Sequence, residues 1–155
     1  MVTGQDRKEI VDVEKPVAGP RDVLVKVRAC GICGSDHMYT MYGGIPPRQG
    51  QTPLGHEPAG EVVQVGSEVQ SVSVGDHVVV NPMAASDGII GNGGAQGAFS
   101  PFVVLFDAIA GTHFRVIPDE IPSPWKPPSD PRPSPLTASP SSGPEPAGST
   151  RAFGG

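Results

Sequence analysis

Cysteine is scarce in this chain: among 155 residues there are two, Cys30 and Cys33, three positions apart. Thiols this close cannot staple a fold, so a disulfide framework is excluded and the pair must serve packing, redox chemistry or a metal. Basic residues are outnumbered, 11 Lys and Arg against 16 Asp and Glu, giving a formal net charge of −5 with no basic run. No nucleic-acid or anionic-membrane partner is expected from that balance. Long apolar runs are lacking as well. The longest span four to five residues, far from the ~20 that a membrane-crossing helix requires. Met1 to Glu9 has no apolar segment of the signal-peptide kind. The expectation is a soluble, cytoplasmic chain.

Glycine (21) and proline (19) are instead abundant, and ten of the prolines stand from Pro122 onward. The chain therefore divides into two materials. Residues 1–121 carry enough Val, Ile, Leu and Phe for the core of about one domain. Residues 122–155 form a Pro/Ser/Gly-rich tail that cannot offset its ordering entropy by burial, and disorder is expected there. Trp125, alone within that tract, is expected to be solvated.

Strand signals dominate the first part. Asp22 to Arg28 sets Val23, Val25 and Val27 against Leu24, Lys26 and Arg28, the period-two pattern of a half-buried strand. Gly60–Gly66, Gly75–Asn81 and Phe102–Phe106 are further short β-branched runs. Ser35 to Tyr42 reads as one short helix, with Ser35 or Asp36 as its N-cap. These signals predict a mainly β fold of barrel or sandwich type.

Cys30-Gly-Ile-Cys33 follows a strand and precedes that helix. The placement suits core packing, a thiol redox pair or half of a zinc site, and the motif alone leaves all three open. No second C-x-x-C exists, which excludes a four-cysteine zinc within one chain. Twenty-two residues on, Gly55-His-Glu-Pro-Ala-Gly60 offers an imidazole and a carboxylate, so Cys, His and Glu together could supply a mixed S/N/O donor set.

The combination of Cys30-Gly-Ile-Cys-Gly-Ser-Asp36, Gly55-His-Glu-Pro-Ala-Gly-Glu-Val-Val-Gln-Val-Gly66 and Val74-Gly-Asp-His-Val-Val-Val80 resembles the N-terminal catalytic domain of zinc-dependent medium-chain alcohol dehydrogenases. The sorbitol and threonine dehydrogenase branch is the most similar. Gly97-Ala-Phe-Ser-Pro-Phe-Val-Val-Leu105 and Arg115-Val-Ile-Pro-Asp119 match that family's later strands. The resemblance covers residues 8 to 121 and implies a GroES-like barrel with a short helix.

It also implies that Cys33, His56 and Glu57 belong to a catalytic zinc site, Glu57 either in the first shell or holding a ligand water. Asp36 would accept a hydrogen bond from the ligating histidine, Ser35 would pass the alcohol proton outward, and Tyr39 would face the substrate. Cys30 would be strand-end packing. The substrate would be a small alcohol or polyol, with hydride passing to NAD(P) in the full-length enzyme.

The sequence departs from the family in several places. Asn81 to Gly94 stands where the family has a four-cysteine lobe and contains no cysteine. Met38 takes the relay-histidine position, with His37 one residue earlier. His77 and His113 lie outside the motifs and are expected to be solvated. The family's third zinc ligand, a glutamate in a Glu-Pro pair, has only the echoes Asp130-Pro131 and Glu145-Pro146. No G-x-G-x-x-G is present: Gly91-Asn-Gly93 is followed by Gln96 at the third-glycine position. The chain alone is thus expected to lack a Rossmann domain, to bind no NAD(P) and to be inactive. Its exposed domain interface is expected to promote self-association.

In a displaced reading frame, codons for Pro124-Trp-Lys-Pro-Pro128 can spell Leu-Glu-Ala-Ala. A frameshift ahead of a cofactor domain would account for the tail. The rival readings are a C-x-x-C thiol oxidoreductase, which needs a low-pKa thiol at Cys30, and a binding module presenting Arg132-Pro-Ser-Pro135 to an SH3 or WW partner.

Overall fold

The computed structural model describes residues 1–118 and 121. The expectations for the tail from residue 122 onward lie outside the described residues. Two short strands, β1 (Val2–Gly4) and β2 (Arg7–Lys8), form an antiparallel ribbon. The main sheet is built from β3 (Val23–Gly31), β4 (Glu57–Val65), β5 (His77–Val80), β6 (Phe102–Leu105) and β7 (Phe114–Val116). Their order is β6-β3-β4-β5-β7, with every neighbouring pair antiparallel. One α-helix, α1 (Gly34–Met41), lies between β3 and β4. The expected mainly β architecture with a single short helix is what is found among the described residues. The sheet is open, because β6 and β7 are not paired with each other.

Alternation in β3 places its residues on two cores. Val23 and Val25 pack with Val62, Val78, Val103, Leu105, Ile90 and Phe114. Leu24, on the opposite face, is also buried, beneath Ala18 and Val104. Beyond Val27 that second face turns to solvent, and Arg28 pairs with Glu61 of the adjacent strand.

Strands β3 and β4 both run further than their β-branched cores suggest. Gly31 pairs with Glu57, Cys30 with Pro58 and Ala29 with Ala59, after a register shift between Val27 and Ala29. Pro58 is tolerated because β5 pairs with β4 only from Ala59 onward, so no ladder donor is required of it on that side. Gly60 is required because a Cβ there would collide with the Lys26 carbonyl oxygen. The extra residue on β3 sharpens its bend and directs the chain into α1.

Two expectations are corrected here. The N-cap of α1 is Cys33, not Ser35 or Asp36. Asp36 occupies the third helical position, where its Oδ2 accepts the Cys33 backbone N–H at 2.9 Å and so satisfies a donor at the helix start. His77 and His113 are buried rather than solvated. His77 opens β5, and His113 Nδ1 accepts the Ile109 N–H at 3.0 Å, closing the turn before β7. His37 is exposed, as are Ile32, Met38, Met41 and Tyr42 on and beside α1. No helix among the described residues is long and apolar enough to cross a membrane.

The segment from Asn81 to Pro101 folds back on the sheet without cysteine. Ile90 is fully buried in the main core, and backbone bonds such as Gly91 N–H to Gln96 O at 2.7 Å hold the turns.

Candidate metal centre

The Gly31–Glu57 pairing decides the site. It sets the end of β3 beside the start of β4, so the residues just outside those strands, Cys33 and His56, face each other. One potential ligand atom from each of Cys33, His56 and Glu57 lies within 4.8 Å of the others. Gly31 lets the Glu57 side chain lie directly over this junction, since a Cβ there would displace its carboxylate.

Three local features hold the corner. Asp36, with 4% of its surface exposed, accepts the Cys33 N–H through Oδ2 and the Gly55 N–H through Oδ1, the latter at 3.1 Å. One buried carboxylate thus ties together the two segments that carry the donors. Its Oδ1 also stands 3.5 Å from His56 Nδ1, too long for a well-formed hydrogen bond. Gly55 adopts a φ of +88°, in the left-handed region, and a Cβ there would meet Phe99. That combination admits glycine and little else.

Ser35 Oγ lies 3.1 Å from His56 Nε2. Hydrogen bonds from the Ser35 side chain and backbone, then from His56, hold the Cys33 thiol below the ordinary cysteine range. Cys30 behaves oppositely: it packs against the main core, and burial pushes its thiol up. The two cysteines are unbridged. A thiol redox pair needs the first cysteine activated, and here it is the second.

At neutral pH, therefore, Cys33 should be alkylated by iodoacetamide well before Cys30, with its rate rising at a lower pH. Peptide mapping after a pH series checks this, since the thiolate is the reacting species. Faster labelling of Cys30 would contradict it.

The donor set suits zinc, which accepts thiolate, imidazole and carboxylate together. His56 Nδ1 is buried and has no hydrogen-bond partner, while Glu57 is exposed, leaving the cluster open on one side. Of the residues singled out in the sequence, Cys33, Ser35, Asp36, His56 and Glu57 converge. Tyr39 is half-buried on α1, and no hydrogen bond joins its hydroxyl to the cluster. Residues 97–99 entered the sequence reading only as part of the family resemblance, with no role at the site. Ala98 N–H donates to Gly55 O at 2.8 Å and Phe99 N–H to Leu54 O at 3.0 Å, gripping the segment before His56 from the other side.

Residues 19–111 match the family described as the alcohol dehydrogenase GroES-like domain. The chain is similar to (R,R)-butanediol dehydrogenase of Bacillus subtilis, 36% identical over an alignment of 135 residues that covers 72% of this chain and 38% of the relative. It is similar to L-threonine 3-dehydrogenase of Cutibacterium acnes, 49% identical over 72 residues, 45% of this chain and 21% of the relative. The crystal structure of 2R,3R-butanediol dehydrogenase from Bacillus subtilis matches the fold with a TM-score of 0.62 at 33% identity, covering 77% of this chain and 40% of that one. The chain spans about a fifth to two fifths of the length of these relatives.

Proposed function

The chain belongs to the alcohol dehydrogenase GroES-like family, and from that membership we propose that it is the zinc-holding portion of an enzyme that oxidises a small alcohol or polyol to a carbonyl compound. The convergence of Cys33, His56 and Glu57 carries this reading. Those three residues would hold the ion, which when bound supplies Lewis acidity toward an alcohol oxygen.

The chain's own groups do the rest. Asp36 fixes the backbones of Cys33 and Gly55, so the thiol and the imidazole keep their separation whether or not the site is loaded. Ser35, whose hydroxyl touches both Cys33 and His56, accepts the alcohol proton at Oγ as it gives up its own hydroxyl proton toward solvent. Buried Leu54 and the ring of Phe99, which lies against Gly55, pack beside the segment that leads into His56. A nicotinamide cofactor belongs to the longer enzyme in this reading, and residues 1–118 contribute the metal corner and the proton path. Self-association through the apolar residues beside α1 belongs to the same proposal.

Titration of the purified chain with cobalt(II) tests it. One equivalent should bind and give a thiolate charge-transfer band in the near ultraviolet. Saturation without that band, or no binding, would overturn a site built on Cys33.

A further inference from the structure

Gln96 lies outside the motifs and outside the cluster, yet its side chain makes three hydrogen bonds. Its Oε1 accepts the Val104 N–H at 2.8 Å, and its Nε2 donates to Val104 O at 3.1 Å and to Asp87 Oδ2 at 3.1 Å. Val104 sits in β6, an edge strand whose other side pairs with β3. The Gln96 amide therefore occupies the open edge of β6 as one residue of a further strand would. Only a side chain with a donor and an acceptor in one plane can do this.

The next three residues are fixed by that anchor. Gly97 packs so closely on Leu54 that a Cβ would strike the Leu54 carbonyl oxygen. Ala98 and Phe99 then donate to Gly55 O and Leu54 O. Gly55 is held on its N–H by Asp36 and on its carbonyl by Ala98, immediately before His56.

The geometry points to Gln96 as a positioning residue for the metal centre: by fastening residues 96–99 to the edge of β6, its amide sets the backbone of Leu54 and Gly55 and through it the place of His56. This rests on the metal-centre reading, but the local part can be tested without metal. In Gln96→Leu, the amide protons of Gly55, Ala98 and Phe99 should exchange at least about tenfold faster in metal-free protein, with the Val62 amide in the middle of β4 unchanged. Cobalt affinity should fall about tenfold, in the range found when outer partners of a ligand are removed.

Unchanged exchange at those three amides would overturn the inference, and so would equal acceleration at Val62, which would mark a general loss of stability. Should Gln96→Leu fail to fold, Gln96→Asn keeps the amide but is one methylene too short to bridge Val104 and Asp87, and the same amides decide. Failure of the wild-type chain to bind cobalt would sink the metal reading, while the exchange pattern would still decide whether Gln96 sets the Gly55 segment.

Discussion

Zinc content close to one per chain is expected for the purified protein, and its loss is expected in both Cys33→Ser and His56→Ala. Affinity in each variant should drop by more than about 100-fold, beyond the span usual for losing an outer hydrogen-bond partner. The reason lies in the donors. Ser35 and His56 hold the Cys33 thiol below the ordinary cysteine range, so it gives up its proton to a metal more easily than a free thiol, whereas a serine hydroxyl is not ionised at neutral pH. Alanine at position 56 removes the imidazole and leaves Ser35 Oγ without its neighbour.

The informative control is Cys30→Ser. Cys30 packs against the main core and donates to Gly31 O at 3.5 Å, so its replacement should leave zinc content unchanged. Metal analysis by mass spectrometry after gel filtration reads all three variants. Equal loss in Cys30→Ser would show that the two cysteines act together, and the assignment to Cys33, His56 and Glu57 would fail.

The β-branched middles of β3, β4, β5 and β6 were legible in the sequence because each buries a valine-rich face, and alternation reports burial directly. Their ends were not. Pro58 is a poor strand residue by type, and it and Ala59 belong to β4 because the chain beyond the bulge in β3 brings Cys30 and Ala29 opposite them. The ribbon of β1 and β2 offered too little pattern: Arg7–Lys8 is wholly exposed, and Val2 is held by a bridge to Thr52, fifty residues away.

For the site, spacing alone left Cys30 and Cys33 open to three chemistries, and the family resemblance chose among them. What separates the two thiols physically is the end of β3. Cys30 still lies within the strand against the core, while Cys33 has passed into the helix start beside His56. His77 and His113 were misjudged because the first is buried at the start of a sheet strand and the second in the turn before β7, placements that no motif reports. Gln96 was invisible for the same kind of reason, since its amide matters only against an edge strand that approaches in three dimensions.

Asp36→Ala is expected to destabilise the metal-free chain by about 2–4 kcal/mol, because two hydrogen bonds to a charged acceptor vanish and the Cys33 and Gly55 N–H groups lose their partner in a largely buried setting. For a domain of this size that corresponds to a fall in melting temperature of roughly 10–20 °C. Asp36→Asn should fall between wild type and alanine: the amide keeps one oxygen to accept one N–H, but turns an NH2 group toward the other. Thermal melts in the presence of a chelator measure this order without any contribution from metal. The same variants distinguish two roles for the carboxylate. If its task were only to orient the imidazole, it would act through His56 Nδ1, which is 3.5 Å away, and alanine would lower zinc affinity while leaving the apo protein as stable as wild type. The shorter contacts, 2.9 and 3.1 Å, go to backbone, so stability and affinity should fall together, in the order wild type, asparagine, alanine. An apo melting temperature unchanged in Asp36→Ala would refute the clamp and return Asp36 to the orienting role alone.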